Sequence, residues 1–361
     1  MNPPLKLFQD RLLNWYHAQR RDLPWRSASP DPYHVLLSET MLQQTQVATV
    51  VPYFLRFIER FPTLADLAAA DLQEILRLWQ GLGYYRRARN LHACARQVLS
   101  DHAGHVPRDV ASLLKLPGIG RYTAGAIASL AYGTPAPILD GNVTRVLCRL
   151  DAIDTDPRDR TTQQLLWKRA EEILPDADVG AFNSALMELG ATLCTPRNPK
   201  CLLCPVQRHC RAAKQGRQEE IPLPKKSKPV PLHRRYVLCI RHHQRFWIEQ
   251  RPPKGRWAGL WQFKTLESAN KPFTSKQLHS KFSLTVSKPQ PLGVVRHRLT
   301  HRQYEFDVFA CDWIGQPPAG STWASVNELS DYPLPKPHLE IAKLLTTHDW
   351  PRPKGYCKSG A

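Results

Sequence analysis

The stretch CTPRNPKCLLCPVQRHC, residues 194–210, holds four cysteines within seventeen positions. They are Cys194, Cys201, Cys204 and Cys210, in the spacing C-x6-C-x2-C-x5-C. Thiolates bind soft metals, and intervals this short bring four sulfur atoms around one centre. The spacing matches neither the paired C-x2-C elements of common zinc sites nor the cysteine runs of ferredoxins. It predicts a metal-binding loop and favours an iron-sulfur cluster, with zinc as the alternative.

Cysteine usage and hydropathy indicate the compartment. Nine cysteines are an odd number, and the charged amphipathic pattern of residues 1–20 is not that of a secretory signal. Disulfides among the clustered cysteines are therefore disfavoured. No apolar run approaches the ~20 residues that span a bilayer. We expect a cytoplasmic protein in a reducing environment, with no membrane association.

The chain is long and strongly basic. Its 361 residues are enough for two or three domains, and its formal net charge is +19, with a pI of about 9.7. Lysine and arginine displace the counterions that phosphates hold, so this charge indicates a nucleic-acid partner. The alternative is a generally basic surface with no partner, because net charge does not specify a fold.

Apolar spacing changes character along the chain. Periodic i, i+3, i+4 patterns predict helices before residue 208, with Thr63 and Asp71 as N-caps of two of them. Patterns after residue 235 predict strands and a closing helix. The predicted helices cover residues 64–68, 72–76, 162–174, 181–193 and 339–346, and the predicted strands cover 236–240, 246–250 and 304–309. The fold class is multidomain, with an all-α N-terminal region that carries the cysteine loop and an α+β C-terminal domain.

A basic, proline-rich stretch separates these two regions. Residues 208–235 hold nine Lys or Arg against two acids, and prolines recur at positions 222, 224, 229 and 231. Such a stretch is predicted to form neither a helix nor a central strand. We interpret it as an extended tether that also contacts DNA. The predicted boundaries are residues 1–212, a linker at 213–234, a second domain at 235–350 and a tail at 351–361.

The segment LPGIGRYTA, residues 116–124, predicts a glycine hairpin between two helices. Gly118 and Gly120 allow backbone N–H groups to approach a phosphate closely, and the helix that begins near Arg121 adds its dipole. Such a turn can also serve helix packing alone. In a chain of charge +19, anchoring of a DNA phosphate is the favoured interpretation.

Two carboxylates follow apolar segments. Asp140 precedes a glycine and a new helical pattern, so it can be an ordinary N-cap. Glu39, in LLSETMLQQTQV at residues 36–47, is either a helix-start charge or a carboxylic acid in an apolar pocket. Considered separately, Asp140 is explained by an N-cap role and Glu39 by a charge at a helix start. Together with the hairpin and the cysteine loop, the two carboxylates form a constellation.

The order of these features resembles the helix-hairpin-helix DNA glycosylases of the endonuclease III and MutY type, over about residues 8 to 212. The resemblance implies a [4Fe-4S] cluster on the four cysteines. Within this superfamily the chain is similar to the MutY branch, the adenine glycosylases. SETMLQQTQV looks like that branch, Tyr122 stands where endonuclease III carries its Schiff-base lysine, and the chain continues beyond the cysteines into a second domain.

The resemblance also implies a fold and a role for the second domain. GRWAGLW, residues 255–261, looks like the W-x-G-L-W turn of the Nudix-like C-terminal domain of that branch. Catalytic Nudix helices need a run of glutamates as metal ligands, and residues 236–361 contain no such run. A recognition role is therefore favoured over nucleotide pyrophosphohydrolysis.

In the chemistry that the resemblance implies, adenine is flipped out of the duplex. Glu39 protonates the base, and ionised Asp140 stabilises the positive charge that develops on the sugar. Tyr122 and Asn142 are expected beside them as supporting polar groups. Trp25 and Arg26 resemble residues that line the adenine pocket.

Further positions are expected to contact the duplex, which carries adenine opposite 8-oxoguanine or guanine and is bound by a monomer. Gln44 and Tyr84 match intercalating positions, Gln43 adjoins them, and arginines that begin at Arg86 suit the nearby phosphates; these are Arg86, Arg87 and Arg89. Relatives read 8-oxoguanine with a Phe-Ser-His turn, which aligns here with Leu299, Thr300 and His301. Leu299 lacks the aromatic ring, and Ser184 replaces a Gln or Glu that relatives often carry.

Two rival functions stay open on the sequence. One is a pyrimidine glycosylase with lyase activity, which Tyr122 disfavours. The other is a catalytically silent protein that scans DNA, which the presence of both Glu39 and Asp140 disfavours.

Overall fold

The computed structural model describes residues 3–27, 29–223, 229–267 and 273–347. They form two units, of which the first comprises residues 3–70 and 86–223 and the second residues 71–85 and 229–347. The predicted tail at 351–361 lies outside the described residues. No helix in the described ranges is both long and apolar enough to cross a membrane.

Helices build the first unit, as the sequence predicts. Its helices are α1 (Pro3–Gln19), α2 (Pro32–Leu42), α3 (Val47–Arg60), α4 (Leu64–Ala69), α6 (Arg86–Asp101), α7 (Val110–Leu113), α8 (Arg121–Tyr132), α9 (Gly141–Asp151), α10 (Arg160–Glu172), α11 (Val179–Thr192) and α12 (Arg211–Lys214); α5 (Leu72–Leu78) belongs to the second unit. The cysteine loop holds two 3₁₀ turns, Cys201–Leu203 and Gln207–His209.

Side-chain caps fix where two of these helices begin. The Thr63 hydroxyl accepts the backbone N–H of Asp66, whose carboxylate in turn accepts the N–H of Thr63, so α4 has a complete capping box. The Asp71 carboxylate accepts the N–H of Gln73 at the start of α5. Both predicted N-caps are confirmed.

The core of the first unit brings α8, α9 and α11 close together. Buried apolar side chains from all three helices pack with α1, including Leu12, Ala126, Leu147 and Phe182. A Cβ atom placed on Gly190 of α11 would lie 2.6 Å from the Cβ of Asn142. The missing side chain at Gly190 therefore lets α11 press against the first turn of α9.

The second unit is a mixed six-stranded sheet. Its strands are β1 (Leu232–His242), β2 (Arg245–Gln250), β3 (Trp261–Glu267), β4 (Gln290–Leu299), β5 (Arg302–Asp312) and β6 (Thr322–Ala324), in the order β4-β5-β1-β3-β2-β6. Strands β1 and β5 are parallel, and the other pairs are antiparallel. Helix α13 (Ser275–Phe282) covers one face and α14 (Lys336–Thr347) the other. The predicted α+β class is confirmed.

Alternation along the central strand explains the two faces. Val237 and Cys239 of β1 join the core beneath α14, whereas Tyr236, Leu238 and Ile240 join the core beneath α13. Period-two alternation with apolar residues on both sides is what a strand buried between two layers requires.

The prediction that residues 208–235 contain neither a helix nor a central strand is wrong at both ends. Helix α12 lies within this stretch, and β1 begins at Leu232 and pairs with both β3 and β5. Pro229 and Pro231 precede the strand, so the ladder loses no N–H donor, and the carbonyl of Pro231 accepts the N–H of Gln303 at 2.9 Å. Prolines at a strand entrance do not exclude the strand.

We predict that Gly190→Ala destabilises the first unit. The added methyl would overlap Asn142, and overpacking of this kind costs ~1–3 kcal/mol. Chemical denaturation of the full-length protein measures the loss. The matched control is Gly141→Ala on α9, where an added Cβ meets nothing within 4 Å. Equal stability of both variants would contradict the close packing of α11 on α9.

Candidate active site

The first unit contains a cleft of about 1510 Å³. Its walls come from α2, α8, α9 and α11 together with the segments that lead into α2 and α3. The site residues predicted from the sequence that line it are Trp25, Arg26, Glu39, Gln43, Gln44, Gly118, Gly120, Tyr122, Asp140 and Asn142. Residues far apart in sequence therefore meet around one space.

Glu39 is a buried carboxyl group in this cleft. It lies on α2, a helix buried along most of its length, and is only 4% exposed. The hydroxyl of Tyr122 donates to its Oε2 at 2.6 Å. Burial raises the pKa of Glu39 to about 7; the Tyr122 hydrogen bond opposes the shift and the charge of Asp140 adds to it. Glu39 can therefore hold a proton near neutral pH.

Tyr122 serves as a fixed donor to this carboxyl group. It lies on α8, and burial raises the pKa of its phenol well above the ordinary value, with the negative charge of Glu39 adding to the shift. The phenol therefore stays protonated. Its hydroxyl oxygen also lies 3.2 Å from the sulfur of Met187 on α11.

Asp140 is both an N-cap and a wall of the cleft. Its Oδ1 accepts the backbone N–H of Val143 at 2.7 Å, and its Oδ2 accepts the side-chain amide of Asn142 at 3.0 Å. Burial raises the pKa of Asp140, while these hydrogen bonds and the charge of Arg145 lower it. The anion of Asp140 thus receives more local support than that of Glu39.

Arg145, which the sequence analysis overlooked, ties this site to the cysteine loop. Its guanidinium donates to Asn142 Oδ1 at 2.9 Å, to the Gly190 carbonyl at 2.8 Å and to the Cys194 carbonyl at 2.7 Å. Because two of these acceptors are backbone atoms distant in sequence, no local motif reveals the arrangement.

Glu188 is a second residue that the sequence analysis overlooked. It is 1% exposed, and its carboxylate accepts from Arg21 Nε at 2.5 Å and from Arg26 Nη2 at 2.8 Å. These bonds hold Arg26 at the wall of the cleft. The sequence of α11 gives one indication of a special role for Glu188, which is the one charged residue among its 14 residues. Ser184, one turn earlier, also lines the cleft.

Arg87 has a structural role instead of the phosphate contact expected for it. It is 8% exposed, and its Nη1 donates to the carbonyls of Thr40, Met41 and Gln43, which α2 leaves without helical partners. That expectation is wrong, because the burial of Arg87 removes it from solvent. Arg86, its neighbour, is exposed.

The loop that Arg87 supports carries the predicted intercalating residue. Gln44 has a φ of +59°, and the amide of Gln43 donates to the Thr123 hydroxyl at 3.3 Å. The loop therefore opens on the cleft in a defined conformation.

The predicted hairpin follows α7 and enters α8. Gly118 has a φ of +80°, and a Cβ placed there would lie 2.6 Å from the Cβ of Asn90. Gly120 is the N-cap of α8 and offers no side-chain cap to the first N–H groups. Arg121 is exposed, with its guanidinium 4.0 Å from the centre of the Trp167 ring.

The four cysteines surround a small cavity of about 30 Å³. Burial raises the pKa of the Cys204 thiol to about 12 and also raises that of Cys201 and Cys210. Arg149 donates to the Cys194 sulfur at 3.3 Å, so a positive charge faces the sulfur group. In the described ranges, no three His, Cys, Asp or Glu side chains converge on a single-ion site. Four sulfurs around a cavity suit a cluster of several metal atoms.

The residues predicted to read the opposite base lie in the second unit. Thr300 and His301 form the exposed turn between β4 and β5, and Leu299 ends β4, half-buried against the sheet core. Tyr84 is 46% exposed, with a φ of +48°, and its hydroxyl lies 2.9 Å from the Thr300 hydroxyl.

Three family models match successive parts of the chain. Residues 37–172 match the HhH-GPD superfamily of base excision DNA repair proteins, residues 194–210 the iron-sulfur binding domain of endonuclease III, and residues 235–344 the NUDIX domain. The loop that holds Cys194, Cys201, Cys204 and Cys210 therefore binds a [4Fe-4S] cluster, and the zinc alternative is set aside.

Whole-length comparison is more specific. The adenine DNA glycosylase of Rattus norvegicus is 39% identical over 372 residues, which span 87% of this chain and 72% of the relative. The chain belongs to the adenine DNA glycosylase family. The Homo sapiens adenine DNA glycosylase is 37% identical over 389 residues, which span 89% of this chain and 70% of the relative.

Solved structures of related glycosylases share the fold of the first unit. A thermostable thymine-DNA glycosylase matches with a TM-score of 0.54 and 32% identity over 59% of this chain and 98% of its own. An endonuclease III–DNA complex matches with a TM-score of 0.51 and 27% identity over 60% and 98%. A thymine-DNA glycosylase thus shares the fold of the first unit, so the fold alone does not select the base.

We predict that Glu39→Gln stabilises the protein above neutral pH. A carboxyl group whose pKa is raised from 4.5 to about 7 loses stability as pH rises between those values. This pKa shift corresponds to a loss of ~3 kcal/mol in the free energy of unfolding across that pH range. The amide of the variant does not ionise, so the variant does not lose this stability. The stability difference between variant and parent should therefore grow from pH ~4.5 to ~7 and then level off.

Denaturation at several pH values measures this difference. The control is Glu59→Gln at an exposed position of α3, which should alter stability by less than ~0.5 kcal/mol. A pH-independent difference for Glu39→Gln would show that Glu39 is not a buried, raised-pKa carboxyl group.

Proposed function

We propose that the protein is a monofunctional adenine DNA glycosylase that acts as a monomer on duplex DNA. It removes adenine paired with 8-oxoguanine, and less well adenine paired with guanine, by hydrolysis of the glycosidic bond. The observation that carries the proposal is Glu39, a buried carboxyl group with a raised pKa beside Asp140 in one cleft.

The two carboxyl groups support a division between acid and anion. Tyr122 occupies Oε2 of Glu39, which leaves Oε1 to hold a proton that faces the cleft. Protonation of a flipped adenine at N7 makes the base a neutral leaving group, and a positioned acid accelerates such a step ~10²–10⁴-fold. Burial raises the pKa of both groups, and at Asp140 the bonds from Val143 and Asn142 and the charge of Arg145 oppose that rise.

Asp140 stabilises the positive charge that forms on the sugar when the base departs. Loss of the base leaves positive charge on the sugar, and an ionised carboxylate stabilises it through space or by transient capture. The hydrogen bonds from Val143 and Asn142 orient this carboxylate. The [4Fe-4S] cluster supplies structural support for the cysteine loop and takes no part in these steps.

The remaining assignments follow the same division. We propose that residues 1–212 carry the chemistry and that 235–350 read the opposite base; the linker predicted at 213–234 ends earlier, because β1 begins at Leu232. Gln44 and Tyr84 would fill the gap left by the flipped base, and Gly118, Gly120 and Arg121 would hold its backbone. Trp25 and Arg26 would contact the adenine, and Thr300 and His301 the 8-oxoguanine.

We predict that single-turnover excision falls as pH rises through about 7, because only protonated Glu39 can donate. Duplexes with adenine opposite 8-oxoguanine, guanine and thymine, cleaved afterwards with alkali, measure excision and the choice of opposite base. Glu39→Gln and Asp140→Asn should each reduce the rate by at least ~10²-fold while DNA binding persists. A rate that stays constant to pH ~8.5, or normal excision by Glu39→Gln, would refute the assignment of the acid.

We predict little abasic-site lyase activity, because the phenol of Tyr122 cannot form a Schiff base. Borohydride should trap little protein on DNA, whereas Tyr122→Lys should gain trapping. Tyr132→Lys on the same helix, outside the cleft wall, is the control and should gain none. Efficient trapping by the unmodified protein would favour the bifunctional alternative.

A further inference from the structure

The turn that joins β2 to β3 holds an aromatic group that the proposed excision chemistry does not use. Trp257 has a φ of +52°, a left-handed backbone conformation that is unfavourable for a bulky residue. Its ring centre lies 5.4 Å from that of Tyr304 and 6.1 Å from that of His297. A large ring kept in an unfavourable backbone conformation suggests that its position is needed.

Arginines surround this aromatic group. The guanidinium of Arg256 lies 5.1 Å from the centre of the Tyr304 ring, and that of Arg251 lies 5.9 Å from the Trp257 ring. Arg251 also donates to the Arg256 carbonyl at 2.9 Å and to the side chain of Gln262. Arg251 therefore braces the turn, which presents Arg256 beside Tyr304.

Positive charges crowd at this point. Burial lowers the pKa of Arg256, and repulsion from nearby arginines, first among them Arg302, lowers it further. His233 stacks on Tyr304 at 5.4 Å, and its Nε2 has no hydrogen-bond partner in the structure. Within the described ranges, neither Arg256 nor Arg302 forms an ion pair with a carboxylate. Clustered cations without an acid favour the binding of an anion.

The register of the sheet places this cluster beside the recognition turn. Arg302 pairs with Leu299, so it stands at the base of the turn formed by Thr300 and His301. Tyr304 pairs with His297 on β4 and with His233 on β1, so the cluster continues across three strands. An anion bound here would fix the orientation of the turn.

We propose that Arg256 and Arg302, with His233 and the face of Tyr304, bind a backbone phosphate of duplex DNA. Guanidinium groups match phosphate oxygens in geometry and charge, and phosphate contacts position a protein without reading sequence. The site would set the register of the recognition turn on the duplex. It rests on the proposed function only in requiring duplex DNA, and the test below needs no excision.

The test is the salt dependence of binding to an undamaged duplex by the full-length protein. Each neutralised phosphate contributes ~0.9 to the slope of log K against log salt concentration. Arg256→Gln with Arg302→Gln should therefore make the slope at least ~0.9 shallower. The loss of affinity should be equal on a duplex that holds adenine opposite 8-oxoguanine, because a phosphate contact carries no base preference.

Matched variants separate the site from net charge and from folding. Lys276→Gln with Lys281→Gln removes two exposed charges from α13 of the same unit and should change the slope by less than about half as much. Arg256→Lys with Arg302→Lys keeps the charges and should retain the slope. Should the double glutamine variant melt well below the parent, the two single glutamine variants carry the same test.

An unchanged slope, or a slope change equal to that of the lysine control, would overturn the proposal. If the slope is unchanged and inorganic pyrophosphate raises the melting temperature of the parent but not of the arginine variants, the cluster binds a free phosphate compound instead. Normal excision in either case would leave the proposed glycosylase function intact.

Discussion

A buried carboxyl group, Glu39, is the constraint on which the first unit depends. Glu39 is 4% exposed and receives one strong donor, Tyr122, from a helix more than eighty residues later in the chain. An uncompensated buried charge is expensive, so the helices must close tightly enough to keep the group dry and open a cleft on its other side. Helix α2 is apolar along most of its length and α8 is rich in small residues, and both features allow the helices to pack closely around Glu39.

Helix α9 connects the site of the two carboxyl groups to the cysteine loop. Asp140 caps its first turn, which contains Asn142, and its later residues Arg145 and Arg149 donate to the carbonyl and the sulfur of Cys194. Both sets of contacts thus involve the same helix. Loss of the cluster would loosen a support of the cleft without directly altering Glu39 or Asp140.

The sequence predicts most of the fold and the central carboxylates, because those features have local signatures. The cysteine spacing predicts the metal-binding loop, and the N-cap residues predict where α4 and α5 begin. The order of the motifs predicts that Glu39 and Asp140 share one site, and both line the cleft. The supporting contacts have no such signature. Glu188 binds arginines more than 160 residues away, and Arg87 binds carbonyls that only the folded end of α2 exposes. The proline content does not predict the start of β1, because Pro231 joins the sheet through its carbonyl and needs no N–H donor there.

The three carbonyls that Arg87 collects have an effect beyond closing a helix end. A flexible loop at Gln44 would have to be ordered at the moment of DNA binding, and that entropy would be subtracted from the affinity. Here the ordering is completed when the protein folds, since one buried guanidinium fixes the backbone on which the loop stands. More of the free energy of association with DNA is then left to distort the duplex.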